Sequence, residues 1–147
     1  MEAGMAEDKE LLERLRARIA ASGFHSWAGI EVVSATPGEV TVATTVSEQH
    51  INLQGLVHGG MLAILADTAC GLSIRSAMEP GRLHVTTDLD IHFLSPAQPG
   101  TLFGRGKAIK VGRSLAFAEA SVEDADGKLL ARAQSRFSVS GREPEGS

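Results

Sequence analysis

Residues 57–71 read VHGGMLAILADTACG, and the residue types best suited to chemistry gather here. Gly59 and Gly60 open an apolar run whose single carboxylate is Asp67. A helix leaves its first backbone N–H groups without intrahelical partners, and its dipole favours negative charge at that end. With no side chain on either glycine, a ligand oxygen can approach those donors closely, as an oxyanion hole in acyl transfer requires. The alternative is that the glycines only ease a tight turn into the helix. A buried carboxylate is costly unless it is paired, hydrogen-bonded or in use. The i±3 and i±4 neighbours of Asp67 are Ala63, Ile64, Cys70 and Gly71, none of them cationic. Asp67 is therefore a structural acid with a distant partner, or a reactive group.

Eight residues separate Gly59 from Asp67, which places them about 12 Å apart along a helix axis. A base or nucleophile and an oxyanion donor must each lie about 3 Å from the reacting centre or its water. If both act on one bond, Gly59 comes from one chain and Asp67 from its neighbour. A symmetric dimer pairing these helices roughly antiparallel would create two such sites.

The elements that must position these groups follow from periodicity. Leu11, Leu12, Leu15 and Ile19 recur at helical spacing, predicting an amphipathic surface helix over 7–21. Alternating segments near 29–35 and 39–46, divided by Pro37-Gly38, predict a hairpin. Residues 47–57, SEQHINLQGLV, hold neither period and read as a loop feeding the central helix. That helix runs from Gly60 to about Met78, where Glu79-Pro80-Gly81 ends it. Being apolar round most of its circumference, it must be wrapped by other structure. Residues 83–93 alternate as a strand, with Leu83, Val85, Thr87, Leu89, Ile91 and Phe93 on one face. His84, Thr86, Asp88, Asp90 and His92 fall on the other. Strand-like runs near 101–111, 114–124 and 128–139 are divided by Val111-Gly112-Arg113-Ser114 and by Asp126-Gly127. This order predicts an α+β domain, antiparallel strands with a helix laid on one face. The polar tail Gly141 to Ser147 is expected to fray.

At 147 residues the chain fits one domain whose core needs no metal or disulfide staple. The single cysteine, Cys70, can form no internal disulfide and reads as a packed small hydrophobe. No export or organelle signal is visible in residues 1–21, so the cytoplasm is the expected compartment. The longest apolar run is six residues, Met61 to Ala66, and the net charge is -4. Neither a membrane nor a nucleic acid is an expected partner.

The run Asn52-x-x-Gly55-x-x-His58-Gly59-Gly60, then Asp67, Thr86-Thr87-Asp88 and Phe93-Leu94-Ser95-Pro96-Ala97, carries a resemblance. Over roughly residues 25–140 the chain resembles the hotdog-fold acyl-CoA thioesterases of the phenylacetate-pathway (PaaI-like) and small thioesterase-superfamily type. The resemblance implies an antiparallel sheet wrapped around one long central helix, a domain over 24–140; the N-terminal helical extension over 1–23 and the disordered tail over 141–147, read from their own patterns, lie outside it. It implies a homodimer at minimum, often doubled to a homotetramer, that hydrolyses an acyl-CoA or aryl-CoA thioester. It implies no metal, and no cofactor beyond the CoA of the substrate. In such enzymes the residue matching Gly59 gives its N–H to the thioester carbonyl, and the one matching Asn52 helps to hold that carbonyl or the attacking water. Asp67 matches the acid of the other subunit, a general base or a nucleophile acting through an anhydride. Thr86 matches a hydroxyl residue that positions water, and His58 one that orients the Asn52 loop.

Read from pattern alone, Asn52 equally suits a turn, Thr86 a solvated or interface hydroxyl, and His58 a structural hydrogen-bond partner. Gly60 joins the expected substrate-binding groups. Arg105, Lys107, Lys110 and Arg113 gather towards the Val111–Ser114 turn as candidate cations for CoA phosphates, although alternating charges also make a wet strand face. Asp88, Asp90 and His92 are metal-ligand types on one expected face. Phe24, Trp27 and Phe93 suit packing as well as acyl selection. Two other readings are a hotdog-fold enoyl-CoA hydratase or dehydratase, and a non-catalytic acyl-CoA-binding protein.

Overall fold

The computed structural model describes residues 8–142; Gly141 and Arg142, expected in the frayed tail, instead close the last strand, which pairs with the strand that begins at Arg82, and the rest of the expected tail lies outside the described residues. The elements are α1 (Lys9–Ala20), α2 (Gly23–Ala28), β1 (Glu31–Thr36), β2 (Glu39–Thr45), a 3-10 turn (Glu48–His50), α3 (Gly59–Ala77), β3 (Arg82–Phe93), β4 (Thr101–Val111), β5 (Leu115–Asp124) and β6 (Leu129–Arg142). The strands form one antiparallel sheet in the order β1-β2-β4-β5-β6-β3. It wraps around α3, the arrangement that the motifs imply.

α3 buries Leu65, Ala66, Ala69, Cys70 and Ile74 against Val42, Leu102, Val122, Leu130 and Phe137 of the sheet. Its approach to β4 is close because β4 presents glycine there. An added Cβ at Gly106 would strike the Ala69 carbonyl, and one at Gly104 would stand 3.0 Å from the Leu65 carbonyl oxygen. α1 buries Leu11, Leu12, Leu15 and Ile19 as its spacing predicts, and Arg16 Nε donates to the Val32 carbonyl at 3.0 Å, tying the helix to β1.

One element was not foreseen, and one expectation needs correction. Residues 22–28 carry no clean period, yet Gly23–Ala28 form a helical turn, with Ser22 as N-cap and Gly29 closing it in the left-handed region (φ 69). More consequential is β3, where a bulge between Thr86 and Asp88 breaks the alternation. A bulge adds one residue and so exchanges the two faces beyond it. Before it His84 and Thr86 turn towards α3 and Val85 is exposed; after it Leu89 and Ile91 pack on the core while Asp88, Asp90 and His92 are exposed. Thr86 and Asp88 therefore do not share a face.

Candidate active site

The site is built on the two ends of α3's first half. His58 is the N-cap, extended at φ -61 and ψ 134, and its Nδ1 accepts the Gly60 N–H at 2.8 Å. Its own N–H donates to the His50 carbonyl at 2.9 Å, and the Val57 N–H donates to the Ala97 carbonyl at 3.0 Å. These bonds fix the chain where it enters the helix. The Gly60 donor is thus occupied within the chain, whereas the Gly59 N–H has no hydrogen-bond partner among the described residues. Gly59 opens into a cleft of about 280 Å³ lined by Asn52, Leu56, Leu62, Phe93 and Pro96.

Asn52 is a turn residue first: its Oδ1 accepts the N–H groups of Gln54 at 2.8 Å and Leu56 at 3.1 Å. That bonding occupies the Oδ1 acceptor and leaves the amide NH2 without a hydrogen-bond partner among the described residues. His58 plays the structural part for which a histidine before a helix is suited.

Asp67 lies in a different cavity, about 760 Å³, whose lining includes Arg18, His25, His84, Thr86 and Phe137. Its Oδ1 accepts from the Thr86 hydroxyl at 2.9 Å. Burial pushes the carboxyl pKa up, against the opposing pull of the Thr86 hydrogen bond and the His25 charge. The neighbouring Cys70 thiol is pushed up to about 12, chiefly by burial and then by Asp67 and Glu119, which leaves it a packed thiol rather than a nucleophile.

The candidate residues thus fall into two groups, Asn52, His58, Gly59 and Gly60 at the start of α3, and Asp67 with Thr86 midway along it. The two clefts share no lining residue. The candidate cations join neither cleft. Arg105 pairs with Glu123 at 3.4 Å, and Arg113 sits in the β4–β5 turn, where its carbonyl accepts from Arg82. Arg105 and Lys110 are both exposed along β4, and Arg105 stands about 20 Å from the turn. Asp88 pairs with Arg136 and Asp90 with His92, and no three metal-ligand side chains converge among the described residues. Trp27 packs edge-on against His50 with ring centroids 5.4 Å apart.

Sequence reasoning missed Ser22, His25 and His84 as lining the Asp67 cavity. Only the Ser22 N-cap had a local signal; the approach of α2 and of β3's inner face to Asp67 is a tertiary event.

A family model described as the thioesterase superfamily matches residues 54–131. Acyl-coenzyme A thioesterase 13 of Homo sapiens is 34% identical over 127 residues, 84% of this chain and 90% of that one. A 1,4-dihydroxy-2-naphthoyl-CoA hydrolase of Listeria monocytogenes is 29% identical over 108 residues, 74% of this chain and 88% of that one. Among solved structures, the E. coli PaaI protein from the phenylacetic acid degradation operon superposes with a TM-score of 0.84 at 24% identity, covering 93% of this chain and 98% of that one. That last likeness is one of fold, the hotdog arrangement of sheet around helix. No helix among the described residues is long and apolar enough to cross a membrane.

Proposed function

The chain belongs to the thioesterase superfamily, a family of thioester hydrolases, and on that premise we propose that it cleaves acyl-CoA or aryl-CoA thioesters to the acid and free CoA at a site shared by two subunits. One observation carries the reading: an unpartnered Gly59 N–H and a half-buried Asp67 carboxylate occupy the same helix but open into separate clefts. The thioester carbonyl oxygen would accept the Gly59 N–H, where the helix dipole favours the charge that develops on it. The Asn52 amide would hold that carbonyl or the water.

Asp67 would come from the partner subunit. Thr86 spends its proton on Oδ1, which leaves Oδ2 for chemistry and the hydroxyl lone pairs for a water. As base, Asp67 takes a proton from that water, the oxygen adds to the carbonyl carbon, the C–S bond breaks, and the proton passes to the departing thiolate. As nucleophile, Oδ2 adds to the carbonyl, expels the thiolate and forms an anhydride that water then cleaves. Either route uses the ionised carboxylate, and a raised pKa makes it the stronger base.

β3 supports the pairing: it is 12 residues long and, among the described residues, has a neighbour, β6, on one side alone. A free edge of that length is a template for a second strand, and pairing two copies would set their α3 helices side by side. Exposed Ile109, Leu115 and Phe117 on the sheet suit a second contact, as in a homotetramer. Arg105, Lys110 and Arg113 are the proposed cations for CoA phosphates that extend beyond the clefts. A cytoplasmic location and the absence of metal or added cofactor complete the reading.

Thiol release from a panel of aliphatic and aryl CoA thioesters tests it. Asp67→Asn and Asp67→Ala are expected to lower turnover by about 10²–10⁴-fold with native mass unchanged. Undiminished turnover in either variant overturns the role of Asp67. Water addition to crotonyl-CoA without thiol release, or saturable binding without turnover, overturns the hydrolase reading.

A further inference from the structure

α1 and α2 do more than cover the sheet. Together they supply one wall of the Asp67 cavity through Arg14, Arg18, Ser22 and His25. The hydrolytic route above uses none of them. We propose that His25 is a positioning residue of the active site, pinned by Ser22 in the wall of the cavity that holds the Asp67 carboxylate and presenting its charge to that acid. The proposal rests on the reading of Asp67 as the reacting acid.

The pinning is local. His25 Nδ1 lies 2.7 Å from Ser22 Oγ, and the same oxygen accepts the His25 backbone N–H at 3.3 Å. The Phe24 ring stands edge-on to the imidazole with centroids 5.6 Å apart. A ring held this way has a fixed distance to its surroundings, which a flexible surface histidine lacks. Arg14 and Arg18 from α1, Asp67 from α3, and His84 and Thr86 from β3 line the same cavity. Burial lowers the His25 pKa and Arg18 lowers it further, while Asp67 raises it. An imidazolium in the wall of the same cavity in turn favours the Asp67 carboxylate. The pair therefore couples the protonation of His25 to that of the acid.

The test is the pH profile of kcat/KM for the full chain with octanoyl-CoA and phenylacetyl-CoA, in wild type, His25→Gln and Asp67→Asn. Gln keeps a hydrogen bond to Ser22 but carries no charge. His25→Gln is expected to move the acid limb to higher pH, so that acid-side rates fall about threefold to tenfold more than alkaline-side rates. His25→Lys, with a permanent charge, is expected to move the limb to lower pH and keeps the test open should the Gln variant not fold. An unmoved limb, or a fall equal at every pH, overturns the proposal. If Asp67→Asn is inactive while the limb stays fixed in the His25 variants, this inference alone fails. If Asp67→Asn turns over normally, the underlying reading fails with it.

Discussion

The Thr86 hydroxyl donates to Asp67 Oδ1 at 2.9 Å, tying the middle of α3 to β3 immediately before the bulge that exchanges the strand's faces. Without that bulge the strand would present either Thr86 to the acid or Leu89 and Ile91 to the core, but not both. The bond opposes the desolvation that raises the Asp67 pKa. Thr86→Val is expected to raise that pKa further and to shift the acid limb of kcat/KM towards neutrality. Hydrogen bonds to charged groups are worth about 1.5–3 kcal/mol, so acid-side rates should fall about tenfold or more. Thr86→Ser should restore them.

His58 caps α3 through Nδ1. His58→Ala should therefore cost about 1 kcal/mol of stability, seen as a lower urea midpoint at unchanged m. His58→Asn retains a capping acceptor and should keep most of it. Equal losses in the two variants would contradict the capping role.

Stability should also report on Asp67. Its pKa is raised in the folded state, so the folded chain holds that proton more tightly than the unfolded one. The corresponding stability is fully present below the ordinary aspartate value and is lost as pH rises through the folded pKa. Asp67→Asn can still accept from Thr86 without a charge to bury. Its Tm is expected to exceed that of the wild type at pH 7.5, with the gap closing below about pH 4. A lower Tm for the variant at pH 7.5 would contradict the burial argument.

Much of the scaffold was legible because its signals are local. Pro37-Gly38 and Asp126-Gly127 mark their turns with positive-φ glycines (φ 87 and 84), and the apolar circumference of α3 requires a wrapping sheet. The helix start and the Asp67 spacing were legible for the same reason, since both follow from one helical period. The faces of β3 were not, because residues 83–93 alternate in sequence while the bulge at Thr86 shifts the backbone by one residue. Nor was α2, since six residues rich in aromatic and small side chains carry no period to read. His25 went unseen for a third reason: what makes it notable is a carboxylate 42 positions away, and nothing in its own segment reports that distance.

The central claim is that the amide and the acid of one active site belong to different chains, and subunit complementation tests it most directly. Gly59→Pro deletes the N–H at the first helical position, where proline fits, and His58 already holds the extended conformation that a following proline demands. Alone, Gly59→Pro and Asp67→Asn should each be inactive in thiol release. Co-assembled one to one, they should form mixed dimers with one intact site, recovering about a quarter of wild-type activity across the population. If the mixture stays as inactive as its parents while native mass shows mixed dimers, both groups act within one chain and the shared site is contradicted.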